Sequence, residues 1–132
     1  MIEIFRAVKP EIAMVIVEHI PECDTHDKIV DAMELYDQLR LNPECVCVIV
    51  AFDDNKLVGF VYGDIPSNRN YVRAVNMWVS NNYDIFDELD KRFTAWCKEK
   101  GFNRILMTTQ RAKGFMRKYE LKHYADILER VL

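Results

Sequence analysis

A polar turn in front of a long helix carries the residues with the clearest chemical potential in this chain. The turn is Ser80-Asn81-Asn82-Tyr83, and it follows an apolar segment at residues 71–79. The first amides of a helix lack intrahelical partners and lie at the positive end of its dipole, so a strand that leads into a helix can bind an anion there. Asp84 is placed to cap these amides, with Asp87 and Glu88 in the first turn. Whether an anion binds is therefore the central functional question.

The apolar pattern predicts a strand and a helix on either side of this turn. Residues 71–79 are rich in β-branched and aromatic side chains, which favour a half-buried strand. The following helix has one apolar stripe at helical spacing, formed by Ile85, Phe86, Leu89, Phe93, Trp96 and Cys97. Gly101 follows its last basic residues, where a left-handed C-cap is expected.

Two further helices are predicted near the N-terminus, after a first strand at residues 2–6. The first helix begins at Pro10, ends at Pro21 and carries Ile12, Val15, Ile16, His19 and Ile20 inward. The second begins near Asp24 or Thr25, stops before Pro43 and carries Ile29, Val30, Met33, Tyr36 and Leu39 inward.

Strands account for most of the remaining chain. Residues 45–52 and 56–65 read as two strands joined by the turn Asp53-Asp54-Asn55, and Gly59 and Gly63 predict a bulge or a close backbone approach in the second. The run Ile105-Leu106-Met107 is typical of a buried parallel strand. A short helix at residues 111–119 and a closing strand at residues 124–132 complete the order β-α-α-β-β-β-α-β-α-β. This order predicts an α/β (α+β) domain spanning residues 1–132, with a mixed sheet of about six strands and helices on both faces.

Composition excludes several classes of protein. Half of the 132 residues are apolar, yet no run approaches the ~20 residues that span a bilayer, and no secretory signal is present. We therefore expect a cytoplasmic protein with no membrane contact. The four cysteines are expected to be small core residues, with Cys45 and Cys47 on one face of a strand. We predict no metal site, because Pro21 separates His19 from Cys23.

Charge is sorted along the chain although its net value is only −3. Residues 11–45 hold nine acids against two bases, whereas residues 91–132 hold eleven bases against four acids. Such sorting can steer charged ligands, but it also arises from solvated helix faces. The C-terminal bases are interspersed with acids and lack aromatic stacking platforms, so nucleic acid is disfavoured as a partner.

The element order and two helix ends resemble the GNAT superfamily, the acyl-CoA-dependent N-acetyltransferases. Residues 95–102, Ala-Trp-Cys-Lys-Glu-Lys-Gly-Phe, are similar to the family's W-A-x-x-x-G helix end. Residues 115–121, Phe-Met-Arg-Lys-Tyr-Glu-Leu, are similar to its Y-x-K-x-G-F helix end. The ending is most like that of the small GNAT-like proteins of tailed phages, which would place the protein in the host cytoplasm or the virion. The resemblance implies fold more strongly than function.

The resemblance implies a coenzyme A site at the turn before the long helix. Active members carry Q/R-x-x-G-x-G/A there, and its glycines let backbone amides approach the pyrophosphate. In this sequence the motif falls on Asn81, Asn82, Tyr83, Asp84, Ile85 and Phe86, with Trp78 and Val79 on the strand before it. Asp84 and Phe86 stand in the two glycine positions. Because Asp84 brings a negative charge to the phosphate site, acetyl-CoA is expected to bind weakly or not at all.

The family's acid and base are also incompletely present. The general base is typically a glutamate or an ordered water near the middle strands, and Asp64 is the nearest carboxylate in this chain. The general-acid tyrosine falls near Met116, which cannot donate a useful proton, so Tyr119 is the candidate three residues on. Both also have plainer interpretations, Asp64 as a turn residue at a strand end and Tyr119 as a core aromatic.

Three hypotheses follow. The first is a degenerate GNAT relative with weak or lost acetyltransferase activity. The second is a working N-acyltransferase for a primary amine, in which Arg111, Lys113 or Arg117 offsets Asp84 and acetyl-CoA is the cofactor. The third is a non-catalytic module, phage-encoded or virion-associated, that binds a protein partner. Monomer and homodimer both remain open.

Overall fold

One mixed sheet organises the chain. The computed structural model describes residues 1–20, 27–108, 122–124 and 127–132. Their strands are β1 (Ile2–Ala7), β2 (Val46–Asp53), β3 (Lys56–Asp64), β4 (Val72–Val79), β5 (Arg104–Thr108), β6 (Lys122–Tyr124) and β7 (Ile127–Val131). Their spatial order is β1-β2-β3-β4-β5-β7-β6, and the β4–β5 pair is parallel while the other neighbours are antiparallel.

The mixed sheet and its parallel β5 are confirmed, while two details differ. The described residues form seven strands rather than about six, because the expected closing strand, β7, is preceded by an additional short strand, β6, that pairs with it. The predicted helix at residues 111–119 lies outside the described residues, as does Cys23.

Helices cover both faces of the sheet, as predicted. The helices are α1 (Ile12–Ile16), α2 (Lys28–Leu41) and α3 (Phe86–Glu99), with 3-10 turns at Val17–His19 and Pro43–Cys45. Helices α1 and α2 pack on one face, where Ala13, Ile16, Ala32, Leu35 and Leu39 meet buried side chains of β2 and β3. Helix α3 packs on the other face, where Leu89, Phe93, Trp96 and Cys97 meet buried side chains of β2, β3, β4 and β5. None of the helices within the described segments is long and apolar enough to cross a membrane.

The inward faces of the first two helices differ from the prediction. Val15, His19, Ile29, Val30 and Met33 are exposed rather than buried. The side of each helix that contacts the sheet contains an alanine, Ala13 on α1 and Ala32 on α2. Because alanine is small, each helix backbone can pack close to the strands. Helix α2 also begins later than expected, because the Asp27 carboxylate caps it by accepting hydrogen bonds from the amides of Ile29 (2.8 Å) and Val30 (3.3 Å).

Glycines allow β3 to pass directly beneath α3. A Cβ on Gly59 would lie 2.9 Å from Ile85 Cδ1, and a Cβ on Gly63 would lie 2.6 Å from Phe93 Cζ. The predicted close approach is therefore confirmed, and so is the predicted bulge, because the β2–β3 register skips Val58. The tight turn between β2 and β3 is made by Asp54, whose φ is +54°.

The end of α3 is closed as the sequence predicts. Gly101 has a φ of +87°. Its amide donates to the Lys98 carbonyl at 2.9 Å, and the Phe102 amide donates to the Cys97 carbonyl at 3.0 Å. These two bonds form a Schellman motif, which requires a left-handed residue where this glycine stands.

Candidate functional site

The parallel strands β4 and β5 separate after a short paired segment. Val72, Arg73 and Ala74 pair with residues 105–107, and within the described residues no later part of β4 pairs with β5. The separation coincides with a bulge, because Tyr62 pairs with Asn76 and Gly63 with Ala74, which leaves Val75 as an extra residue on β4. Residues 76–79 of β4 are thus paired with β3 alone, and this open edge is the most distinctive feature of the sheet.

An aromatic and polar cluster lies beside the open edge, on the α1/α2 face of the sheet. The His19 imidazole stacks on the Trp78 indole, with ring centroids 3.8 Å apart and planes 12° apart. The Asn76 side-chain amide donates to the Tyr62 hydroxyl oxygen at 2.9 Å. Burial raises the pKa of Tyr62 above its usual value, the Asn76 bond opposes this, and the negative charges of nearby acids add to the rise. The Tyr62 hydroxyl therefore stays protonated at neutral pH.

The turn before α3 is tied to two neighbouring elements. The Ser80 amide donates to the Val58 carbonyl at 2.9 Å, and the Tyr83 amide donates to the Ser80 carbonyl at 3.1 Å. The Tyr83 hydroxyl donates to Asp53 Oδ2 at 2.7 Å. This bond lowers the pKa of Asp53 below its usual value and raises that of Tyr83. The amides of Ser80 and Tyr83 are thus already used within the protein.

The start of α3 is surrounded by carboxylates. The helix begins at Phe86, and its N-cap residue is Ile85, which makes no side-chain capping hydrogen bond. The prediction that Asp84 is the capping residue is therefore wrong. Ile85 takes that position because its side chain is buried against Gly59 and the α3 face of the sheet. Asp84 is exposed, and Asp87 and Glu88 occupy the first turn. These acids stabilise the helix dipole but disfavour a phosphate at the same place.

The predicted cofactor residues lie at the end of β4, on the turn and at the start of α3. Asn81 and Asn82 are exposed on the turn, and Trp78 and Val79 are half-buried at the end of β4. No residue of the turn has a positive φ, so its backbone does not need the conformation that glycine supplies.

Asp64 is buried at the end of β3, where it forms an ion pair with half-exposed Arg73. Its Oδ1 accepts a bond from Arg73 Nε at 3.0 Å, and its Oδ2 accepts bonds from the other end of the Arg73 guanidinium at 2.7 Å and from the Gln38 side-chain amide. Both carboxylate oxygens thus already have partners, which link β3, β4 and α2. The base role of Asp64 stays a prediction, and Tyr119 and Met116 lie outside the described residues.

The sequence reasoning missed three pairs that the structure brings together. They are Asp64 with Arg73, Tyr62 with Asn76, and His19 with Trp78. The first two are cross-strand pairs of β3 and β4, so the strand register would have identified them. The bulge at Val75 hides that register in the sequence. The third joins elements about sixty positions apart, and no local pattern signals it.

Comparisons with known proteins connect this geometry to one fold. No protein-family model matches the chain, and no curated protein sequence matches it. Solved structures do match. A GNAT-family acetyltransferase from Staphylococcus aureus has a TM-score of 0.73 at 16% identity, covering 100% of this chain and 99% of its own. A GNAT-family acetyltransferase from Streptococcus pneumoniae has a TM-score of 0.70 at 15% identity, covering 100% of both chains.

One similar structure contains the cofactor of the family. The PaiA N-acetyltransferase from Thermoplasma acidophilum, solved in complex with coenzyme A, has a TM-score of 0.67 at 19% identity and covers 100% of this chain and 99% of its own. Identities this low establish the fold and leave the activity open. The chain has the fold of the GNAT-family acetyltransferases.

Proposed function

We propose that this chain is a GNAT-fold protein, related to acetyl-CoA-dependent N-acetyltransferases, in which acetyltransferase activity is weak or lost. The observation that carries the proposal is the charge at the start of α3. Asp84 and Asp87 occupy the helix end that holds the pyrophosphate of coenzyme A in active members of the resembled superfamily, and Glu88 beside them is paired with Arg92 at 3.0 Å.

Electrostatic repulsion between these carboxylates and the pyrophosphate would weaken cofactor binding. Two like charges 4 Å apart repel by about 1 kcal/mol in water and by about 4 kcal/mol near a protein surface. The amides of Ser80 and Tyr83 add no donors for an anion, because they already bond to carbonyl oxygens of the protein. The charges at this helix end thus do not suit the pyrophosphate.

A working N-acyltransferase for a primary amine is the second candidate, and the open edge of β4 favours it. The strand keeps the bulge at Val75, and the Tyr62–Asn76 pair lies beside unpaired backbone. In this hypothesis Asp64 or an ordered water is the base and Tyr119 the acid. The acids of α2 would attract a cationic amine.

Calorimetric titration with acetyl-CoA and with free coenzyme A tests the proposal. The comparison is between the natural protein, an Asp84→Gly/Phe86→Gly variant and, as a control, Glu44→Gly, which removes an exposed acid from the 3-10 turn before β2. We expect no binding to the natural protein or the control, and binding to the double variant.

Each result has a defined meaning. Micromolar binding to the natural protein, about −8 kcal/mol, would refute the degenerate-loop argument and favour the enzyme. Binding to the double variant alone would show that these two positions suffice to prevent cofactor binding. No binding to any of the three proteins would show that residues other than Asp84 and Phe86 also prevent cofactor binding, and it would favour a non-catalytic module.

A further inference from the structure

The first two helices present large apolar side chains to solvent. Met14 and Val15 on α1, and Ile29, Val30 and Met33 on α2, are each between 47% and 62% exposed. Scattered single apolar residues are ordinary on protein surfaces, but several on two neighbouring helices mark an interaction surface. We name these five residues, together with the exposed acids on the same helical segments, the α1/α2 outer face.

The packing of the helices directs this set away from the sheet. The opposite sides of the same helices bury Ala13, Ile16, Ala32 and Leu35 in one core cluster with β2 and β3. On α2 the exposed residues are spaced i, i+1 and i+4, which places them on one side of the helix. Lys28 Nζ lies 3.9 Å from Glu18 Oε2, so the end of the first helical segment adjoins the start of α2.

The same face is negatively charged. Its exposed acids are Glu11, Glu18, Asp27, Glu34 and Asp37, and they outnumber the nearby bases Lys9, Lys28 and Arg40. Lys28 and Arg40 each contact an acid there, at 3.9 Å from Glu18 and 3.5 Å from Asp37, so three bases including Lys9 face five acids. The surplus of negative charge is therefore not neutralised within the face.

We propose that the α1/α2 outer face binds a basic amphipathic helix of another protein. An apolar stripe on that helix would cover the exposed methionine, valine and isoleucine side chains, and its basic residues would pair with the surrounding acids. Met14 and Met33 suit such a surface, because their flexible thioethers adapt to differing apolar side chains. The inference goes beyond the proposed function, since it needs neither the cofactor turn nor the open edge of β4.

Charge also discriminates against other occupants. A second copy docked through the same face would place acids against acids, because a two-fold interface pairs each patch with itself. Anionic lipid surfaces and nucleic acid would be repelled by the same surplus. A helix with an apolar stripe and basic residues complements both the apolar side chains and the negative charge of the α1/α2 outer face.

Titration with a synthetic peptide tests the proposal. The probe is an amphipathic peptide of leucine and lysine, about five helical turns long, and its counterpart has glutamate in place of lysine. Fluorescence anisotropy measures affinity, and amide chemical-shift mapping locates the contact. The variants are Met14→Ser/Met33→Ser and Glu11→Lys/Glu34→Lys, and Val131→Ser is the control because it removes an exposed apolar side chain from β7.

The expected results are specific to the face. The basic peptide should bind the natural protein, shift amides of α1 and α2, and weaken at least tenfold in each double variant but not in Val131→Ser. The acidic peptide should not bind. Equal weakening in the control, shifts elsewhere, or no binding of the basic peptide would overturn the proposal. It would equally be overturned by a self-associated natural protein that Met14→Ser/Met33→Ser converts to monomer, since the face would then join two copies.

Discussion

The Tyr83 hydroxyl donates a 2.7 Å hydrogen bond to the Asp53 carboxylate, and this bond joins the turn before α3 to the hairpin between β2 and β3. The two residues are thirty positions apart and lie on loops at the same end of the sheet. The bond therefore helps to fix the turn, together with the bond from the Ser80 amide to the Val58 carbonyl of β3.

Replacing Tyr83 with phenylalanine should destabilise the protein in a pH-dependent way. The bond lowers the pKa of Asp53, so its stabilising effect is present above the ordinary aspartate pKa of about 3.9 and is lost as pH falls through the lower folded value. Urea unfolding should show a difference between Tyr83→Phe and the natural protein at pH 7 that shrinks below about pH 4. Asp53→Asn should give a similar loss that does not add to it, and a constant difference across this range would contradict the assignment.

The two glycines beneath α3 should differ in their tolerance of alanine. A Cβ on Gly63 would meet the Arg73 carbonyl oxygen and the Phe93 ring, neither of which can move freely, so we expect a loss of about 1–3 kcal/mol. A Cβ on Gly59 would chiefly meet the Ile85 side-chain tip at 2.9 Å, which can rotate away, so the loss should be smaller. Denaturation midpoints in urea measure both, and the reverse order would contradict this account of the helix–sheet contact.

The ion pair of Asp64 and Arg73 should be structural. Asp64→Asn leaves the guanidinium without its charged partner and should cost about 1–3 kcal/mol, towards the lower end because Arg73 is half exposed. The matched control is Asp37→Asn, which breaks a surface pair with Arg40 and should cost under about 0.5 kcal/mol. If Asp64→Asn instead leaves stability unchanged and abolishes acetylation of an amine, Asp64 is the base and the structural assignment is wrong.

The sequence predicts the elements of this fold better than their contacts. The α3 stripe, the left-handed Gly101 and the Asp53-Asp54-Asn55 turn follow from local rules, because each depends on residues within one or two helical turns. The inward faces of α1 and α2 do not. On α2 the large apolar side chains of Ile29, Val30 and Met33 were predicted to be buried. Close packing against the sheet instead buries the side of the helix that contains Ala32.

Counting back from Gly101 assigns the two glycine positions of the resembled motif to Asp84 and Phe86, and this assignment stays a prediction. The start of the helix beside them could not be predicted in detail. The N-cap could not, because Ile85 displaces Asp84 from that role through burial against Gly59, a contact between distant elements. The same limit applies to Cys45, which was expected in the core and is exposed in the 3-10 turn before β2.

Cys45 and Cys47 should differ in their rate of alkylation. Burial raises the pKa of the Cys47 thiol to about 12, an effect that Arg6 opposes and Cys97 reinforces. Only the thiolate reacts with alkylating reagents, and a thiol with this pKa has about one part in 10⁴ as thiolate at pH 8. Exposed Cys45 should therefore be alkylated by iodoacetamide much faster than Cys47 in the native protein, as read by mass spectrometry of the labelled peptides. In urea both thiols return to ordinary pKa values and should react alike. Comparable native rates would show that the β2 core opens readily, because neither burial nor a raised pKa would then be protecting the thiol.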